Sequence, residues 1–502
     1  MPKSQFAIQF LRNALEHPDK VAVIDGNAST SYGECALAAL SFSKYLTVDL
    51  KCDSSTVLGI QASHSVDFIV AMLACYLAHI PVAYLENGLN EAGILAICDR
   101  LGIHAVICDA DLGHVQTITC KGICSTYLPE DAALSREGLE SILVDDGAGA
   151  LAEILFTTGT TGLSKGVCLT QDNVRSVLEN VLVGAGVERD NVAYIPMPLN
   201  HVFALRRCQA NLYRGATVVL RDNLRMVKRF FATIEECGVT SLTLAPSAIA
   251  YLLKVSGRKL GNYCEQIRYV ESSSAPLGER EKSQLCELLP STRLYNFYGC
   301  TESTACCVLE YSKYKNLKHC VGKPTVNATI RFVGEVGNYC DATAAQPARI
   351  VIGGSANMSG YWEDEAATKN TLIDGFVYTN DFGYLDERGF LYILGRIDDV
   401  ILVGGNNVSP IEVEDLLMDA GIASECCLIG VPDKLSGNRL VLFLATEEGE
   451  RDANKHVMNV LRGRVEDYKL PHATYCLEAL PRTYNGKLDR KALRQMALSE
   501  TD

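Results

Sequence analysis

Ten residues, Thr157-Thr158-Gly159-Thr160-Thr161-Gly162-Leu163-Ser164-Lys165-Gly166, gather four threonines, three glycines and a lysine directly after the apolar run Ile154-Leu155-Phe156. Glycines let backbone N–H groups turn toward an anion, threonine hydroxyls donate to its oxygens, and the ammonium adds a point charge. The chemistry these types suit is phosphate handling. The loop is not the Walker type, because G-x-x-x-x-G-K puts glycine before the lysine and this chain has Ser164 there. A surface turn of small polar residues is the competing reading, and the density of hydroxyls and glycines tells against it.

Four more clusters can do related chemistry. In Asn296-Phe297-Tyr298-Gly299-Cys300-Thr301-Glu302, an aromatic beside glycine can stack on a purine, and the Glu302 carboxylate, one residue after Thr301, can hold Mg²⁺ against phosphate oxygens. Ser272-Ser273-Ser274-Ala275-Pro276-Leu277 is small enough for a flat base to approach the backbone, or is a plain turn before a helix at 278–289. Asp381, in Tyr378-Thr379-Asn380-Asp381, together with Arg396 offers a carboxylate and a guanidinium across a hairpin, which can bind the vicinal hydroxyls of a ribose. Last, Lys487 follows Asn485-Gly486 at a turn tip, from which its charge can reach another domain; an ordinary exposed lysine is the alternative.

The elements that must carry these residues are legible from pattern. From about residue 20 to 320, short apolar runs alternate with helix-length segments: 57–60, then 66–78, 81–85, 91–101 and 105–108, with later runs at 192–196, 216–220 and 241–245. This is the texture of βαβ units on a parallel sheet. Phe68 to Leu85 is apolar enough to imitate a membrane span, but His79 and Pro81 divide it into a buried helix and a short strand. Beyond 320 the chain becomes β-rich and glycine-punctuated, and after Asp398 a fresh α+β pattern begins. The fold class is α/β: a large compound N-terminal domain of parallel α/β subdomains plus a β-rich one, residues 1–397, and a small α+β C-terminal domain, residues 398–502.

In order and spacing, TTGTTGLSKG, NFYGCTES, YTNDFGYLDERGFLYILGR, GRIDDVILVGGNNVSPIEVE and PRTYNGKLDRKALR resemble the adenylate-forming superfamily of acyl-CoA synthetases, nonribosomal adenylation domains and luciferases. The resemblance runs from Pro18-Asp19-Lys20-Val21-Ala22-Val23 to residue 494. It implies an enzyme that uses ATP and Mg²⁺ to convert a carboxylic acid to an acyl-adenylate with loss of pyrophosphate, after which a thiol displaces AMP.

Carried over residue by residue, the resemblance places the β- and γ-phosphates on Thr157, Thr158, Gly159, Thr160, Thr161, Gly162 and Lys165. Ser274, Ala275 and Pro276 would line the adenine, Tyr298 would stack on it, and Asn296, Phe297 and Gly299 belong to the same nucleotide segment. Thr301, Glu302 and His201 count with the catalytic residues, Glu302 as the Mg²⁺ ligand. Asp381 and Arg396 would hold the ribose with Ile393 against the nucleoside, and Lys487 would bridge substrate carboxylate and α-phosphate as charge develops. Asp398 matches a hinge for the small domain, and Gly404 and Gly405 would flank the pantetheine path of coenzyme A.

For the acid, the resemblance points to His201, Val202 and Phe203, with Ser273 and Gly299; a capping histidine is the rival reading of His201. Val202 stands where amino-acid-activating relatives carry aspartate, which favours a fatty, aryl or other uncharged-tail acid. The sequence departs from the family at Thr158, where serine is usual, at Ser164, a common proline, and at Asn380, a common glycine; Asn407 replaces an arginine of some CoA ligases and leaves the CoA contacts open. The loop Val403 to Pro410 favours coenzyme A as acceptor over a carrier-protein phosphopantetheine, while Asn485-Gly486-Lys487 speaks for the carrier. An inactive nucleotide-binding homologue conflicts with the retention of Lys487, Glu302, Asp381 and Arg396.

Composition bounds the partners. A net charge of −14 argues against nucleic acid or an anionic membrane surface. The 20 cysteines are scattered, with no C-x-x-C couples, and the N-terminus meets Arg12, Glu16 and Lys20 too soon for a signal peptide; both suit a cytoplasmic protein with reduced thiols. The partners expected are a small carboxylic acid, ATP and CoA, with oligomeric state open.

Overall fold

The computed structural model describes residues 5–113, 115–130, 134–135, 137, 139, 142, 149–157, 165–221, 224, 226–334, 337–423, 425–446, 450–482 and 488–499. Two compact units emerge. The first comprises Met1–Arg331, Val351–Tyr378 and Glu387–Leu391, the second Phe332–Ile350, Thr379–Asp386 and Tyr392–Asp502.

The first unit contains two sheets. In one, the strands run Gly360–Tyr361, Gly166–Thr170, Leu151–Phe156, Val82–Leu85, Leu58–Gln61, Ala105–Ile107 and Gln116–Ile118 in spatial order. The four strands from Val82–Leu85 to Gln116–Ile118 are parallel, as alternating apolar runs and helices require. Val66–Leu77 is the helix foreseen within the apolar stretch; Ser65 caps it by accepting from the Phe68 N–H, and Val82–Leu85 follows as a fully buried strand. Among the described residues no helix is long and apolar enough to cross a membrane.

The other sheet of this unit runs Arg293–Tyr298, Tyr269–Ser272, Ser241–Thr243, Val192–Tyr194, Thr217–Leu220 and Val21–Asp25 in parallel. The strand Arg293–Tyr298 is longer than its apolar start suggests, because parallel pairing with Tyr269–Ser272 carries it on through Asn296 and delivers Tyr298 to the strand end. Ser272 and Asn296 are register partners, so the small-residue cluster and the aromatic cluster emerge side by side.

The helix Val202–Arg214 is tied to both sheets by buried ion pairs. Arg206 reaches Glu153 of the Leu151–Phe156 strand at 2.5 Å, and Arg207 reaches Glu271 of Tyr269–Ser272 at 3.2 Å. Consecutive helix positions point about 100° apart, so adjacent arginines can address opposite layers. Tyr76, Tyr84 and Gln209 all donate to Glu153, satisfying its buried carboxylate. Burial pulls the Arg206 guanidinium down, but the Glu153 charge and hydrogen bond, with Tyr76 and Tyr84, together outweigh it and leave Arg206 above its ordinary value.

In the second unit, Cys426–Asp433, Gly437–Ala445 and Ala473–Leu477 form a three-stranded sheet covered by the helices Pro410–Asp419, Glu450–Leu461 and Arg490–Ser499. Glu414 accepts from the Leu428 N–H and from Arg490, fastening the start of the last helix to the sheet. All 20 cysteines are free thiols, most of them buried.

Candidate active site

In the first unit the described ends of the Thr157–Lys165 loop are carried by a β-hairpin. Leu151–Phe156 pairs antiparallel with Gly166–Thr170, and the frame closes where the Thr157 N–H donates to the Lys165 carbonyl at 3.0 Å and the Lys165 N–H donates to Thr157 Oγ1 at 3.2 Å. Thr158, Gly159, Thr160, Thr161 and Gly162 lie outside the described residues. Gly166 has a packing reason to be glycine: a Cβ there would stand 2.9 Å from Ile154 Cγ2.

Lys165 is exposed, and its Nζ stands 4.8 Å above the ring of Tyr361. The hydroxyl of that same tyrosine donates to Glu302 Oε1 at 2.6 Å. One ring thus links the loop lysine to the carboxylate that sequence singled out for a cation. Burial first, then the Glu302 charge, push the Tyr361 phenol well above its ordinary value, so it stays a donor. Glu302 is also held by its backbone, whose carbonyl accepts from the Met358 N–H at 2.8 Å.

The segment from Tyr298 to Glu302 makes a tight turn. The Cys300 N–H and the Ser303 carbonyl bond at 3.1 Å, and a Cβ on Gly299 would meet that carbonyl at 2.6 Å. Tyr298 is half-buried at the strand end, and Asn296, buried, keeps its Oδ1 without a hydrogen bond among the described residues. Ser274 adopts φ +78°, a left-handed conformation uncommon outside glycine that concentrates at functional sites. Ser274 and Pro276 are exposed, Ala275 half-buried, and Ser273 Oγ donates to the Phe297 carbonyl at 2.8 Å. An orphaned buried acceptor beside an exposed small-residue turn, with a carboxylate on the next turn, is a donor and acceptor set that fits a nucleotide with its divalent cation.

His201 opens the Val202–Arg214 helix with its backbone; its side chain does not cap the helix. Val202 is half-buried, and Phe203 is buried against the Arg207 guanidinium, which lies 4.6 Å from its ring centre and 4.2 Å from that of Phe297.

In the second unit, Asp381 and Arg396 face each other across a hairpin, Oδ1 to Nη1, at 3.6 Å. Arg396 spends its shorter bonds on Asp398, donating from Nε and Nη2 at 2.9 Å each. Those bonds to Asp398 are the main reason its guanidinium sits above the ordinary value; burial lifts the Asp398 carboxyl, and the Arg396 hydrogen bonds and charge, with lesser hydrogen bonds, together overcome that and hold it low. Ile393 is half-buried on the same strand as Arg396. Gly404 and Gly405, at φ +57° and +87°, form the two-residue turn between Ile401–Val403 and Asn406–Val408. Successive positive φ angles demand glycine or asparagine there. Lys487 lies outside the described residues; its flanks, Arg482 and Leu488, pair as an antiparallel bridge.

The motif content of both units matches known families. Residues 10–362 match the model of the AMP-binding enzyme, and residues 412–487 match the AMP-binding enzyme C-terminal domain. The chain belongs to the AMP-binding enzyme family. Within it, the chain is similar to 2-succinylbenzoate--CoA ligase of Bacillus cytotoxicus, 27% identical over 82% of this chain and 87% of that protein. It is also similar to 4-coumarate-CoA ligase 1 of Narcissus pseudonarcissus, 24% identical over 97% and 93%, and to indoleacetate--CoA ligase of Aromatoleum aromaticum, 29% identical over 75% and 73%. Among solved structures, ATP-bound MatB from Rhodopseudomonas palustris superposes with a TM-score of 0.85 at 23% identity, covering 99% of this chain and 100% of that one. The o-succinylbenzoate CoA synthetase of Bacillus subtilis with its acyl-adenylate intermediate gives 0.81 at 24% identity, covering 97% of each chain. These likenesses show the shared fold, a large N-terminal and a small C-terminal domain of mixed α/β type.

Sequence reasoning missed Tyr361. It sits in Gly360–Tyr361, a two-residue strand with no local signal; only pairing of Tyr361 with Val167 brings the ring beside Lys165. It also missed Asp398 as the chief partner of Arg396, although the two-residue separation makes such a bidentate contact geometrically easy.

Proposed function

We propose that this enzyme activates a carboxylic acid with ATP, releasing pyrophosphate to give an acyl-adenylate, and then transfers the acyl group to the thiol of coenzyme A, releasing AMP. The observation that carries this reading is the match of one chain to both modules of the AMP-binding enzyme family, in order. The named relatives, all CoA ligases, support coenzyme A as the acceptor.

The residues have distinct tasks. The loop from Thr157 to Lys165 binds the departing β- and γ-phosphates, with Lys165 as its point charge. Ser274, Ala275, Pro276, Asn296, Phe297, Tyr298 and Gly299 seat the adenine, the Asn296 Oδ1 acceptor being suited to an exocyclic amino group. Asp381 and Arg396 bind the ribose, with Ile393 against the nucleoside. Glu302, beside Thr301, would hold a divalent cation, and the charge of that ion would neutralise phosphate oxygens of the nucleotide. Lys487 places its ammonium between the substrate carboxylate and the α-phosphate, where opposing negative charges must approach. His201, Val202, Phe203, Ser273 and Gly299 border the acid, which carries an uncharged tail. Asp398 serves as the hinge separating the two half-reactions, between the domains 1–397 and 398–502, and the Gly404-Gly405 turn serves the thiol step.

A pyrophosphate-release screen across a carboxylic-acid library, with and without coenzyme A, tests this. Acid-dependent pyrophosphate without any thioester on CoA would reassign the acceptor to a carrier protein, and ADP as product would remove the adenylation reading.

A further inference from the structure

Tyr361, Lys165 and Glu302 come from three separate stretches of chain, and the fold presses them into one contact line. Gly360–Tyr361 pairs antiparallel with Gly166–Thr170, Tyr361 opposite Val167, and the Trp362 N–H donates to the Gly166 carbonyl at 2.8 Å. Glu302 is tied to the same strap: its carbonyl accepts from Met358, and the next residue, Ser303, donates through Oγ to Asn357 Oδ1 at 2.7 Å. Asn357, buried, is itself fixed by its amide to the carbonyls of Ile352 and Gly375. The backbones of Glu302 and Tyr361 therefore cannot drift apart without breaking the strap.

Two consequences follow for the carboxylate. With Oε1 engaged at 2.6 Å, its rotamer is set before any cation arrives, while Oε2 has no hydrogen bond or ion pair among the described residues. Carboxylates that ligate metals are commonly oriented this way by a second partner. The ring also stands between two opposite charges. An ammonium resting on its face, 4.8 Å from the centre, satisfies itself on the π-cloud and does not form the direct ion pair with Glu302 that would compete with a cation.

We infer that Tyr361 is the positioning residue of the cation site: its hydroxyl fixes Glu302 so that one oxygen is kept for the divalent ion accompanying the nucleotide, and its ring keeps Lys165 off that carboxylate. The inference rests on the adenylation reading above and adds to it a residue that neither sequence motif contains.

The test is calorimetric titration of the full chain with α,β-methylene-ATP, which binds without turnover at the α-phosphate, at stepped Mg²⁺ concentrations and in EDTA. Tyr361→Phe keeps the ring and loses only the hydroxyl. It is expected to raise the Mg²⁺ concentration needed for half-maximal enhancement of nucleotide binding about tenfold, with affinity in EDTA unchanged. Glu302→Gln should show the larger loss, and Tyr361→Phe added to Glu302→Gln should cost nothing more, since the two act through one carboxylate. Unchanged Mg²⁺ dependence in Tyr361→Phe, or an equal loss with and without Mg²⁺, overturns the inference while leaving adenylation intact. Absence of nucleotide binding by the unmutated chain overturns both.

Discussion

Arg396 grips Asp398 more closely than Asp381: two bonds of 2.9 Å run to the carboxylate two residues on, against 3.6 Å to the one across the hairpin. The residue proposed to hold the ribose and the residue proposed as hinge therefore share one guanidinium, so a change at one must be felt at the other.

This gives the first prediction. Arg396→Ala is expected to raise KM for ATP about tenfold or more, the cost of a lost charge-assisted bond, with a smaller effect on kcat. Asp398→Asn keeps the guanidinium and should leave pyrophosphate release within about threefold while slowing transfer to CoA. Separate assays of the two half-reactions check this; equal loss in both for Asp398→Asn would remove it from the hinge.

The same pair sets a pH dependence. The Asp398 carboxyl is held below its ordinary 3.8 despite its burial, so its contribution to stability is present above that value and lost as pH falls through the lower folded one. Thermal unfolding of wild type and Asp398→Asn between pH 2.5 and 6 should show curves that differ at the upper end and converge at the lower. Curves that diverge toward acid would contradict the sign.

Buried charge gives a stability prediction. Burial pushes Arg207 below and Glu271 above their ordinary values, each against the pull of its partner. Arg207→Ala leaves the Glu271 carboxylate alone in the interior and should cost about 3–5 kcal/mol, whereas the apolar double replacement Arg207→Met with Glu271→Leu should cost far less. Urea unfolding of the three chains decides it.

Thiol reactivity follows from burial as well. Burial pushes the thiols of Cys98 and Cys168 up to about 11 and that of Cys120 to about 12, so their thiolate fraction at pH 8 is minute. Mass-spectrometric mapping after brief iodoacetamide treatment at pH 8 should find exposed Cys340 modified and these three intact. Early labelling of Cys168 would mean that its strand opens in solution.

Much of this was legible in the sequence where function and element sit in one short stretch. The strand that leads into the Thr157–Lys165 loop, the buried helix Val66–Leu77 and the strand that ends at Tyr298 each follow from local apolar runs, whereas the antiparallel pairing of Leu151–Phe156 with Gly166–Thr170 was not read from them. Relations made by long-range pairing were not legible. The Tyr361 bond to Glu302 spans 59 residues and depends on a two-residue strand, and Arg207 in an otherwise ordinary helix gives no sign that two aromatic rings will enclose it. Gly404 and Gly405 were assigned from the sequence to clearance for a thiol. Their positive φ angles supply a backbone reason that operates whether or not a thiol passes, so any bulky replacement of Gly405 made to test thiol clearance needs Gly405→Asn, which tolerates that φ, as its control.

The most direct test separates the half-reactions with Lys487→Ala. The account predicts that this variant loses ATP- and acid-dependent pyrophosphate release, yet still converts a synthetic acyl-adenylate and CoA to acyl-CoA and AMP at a rate near that of wild type. Loss of both half-reactions to the same extent, or retention of pyrophosphate release, would contradict it.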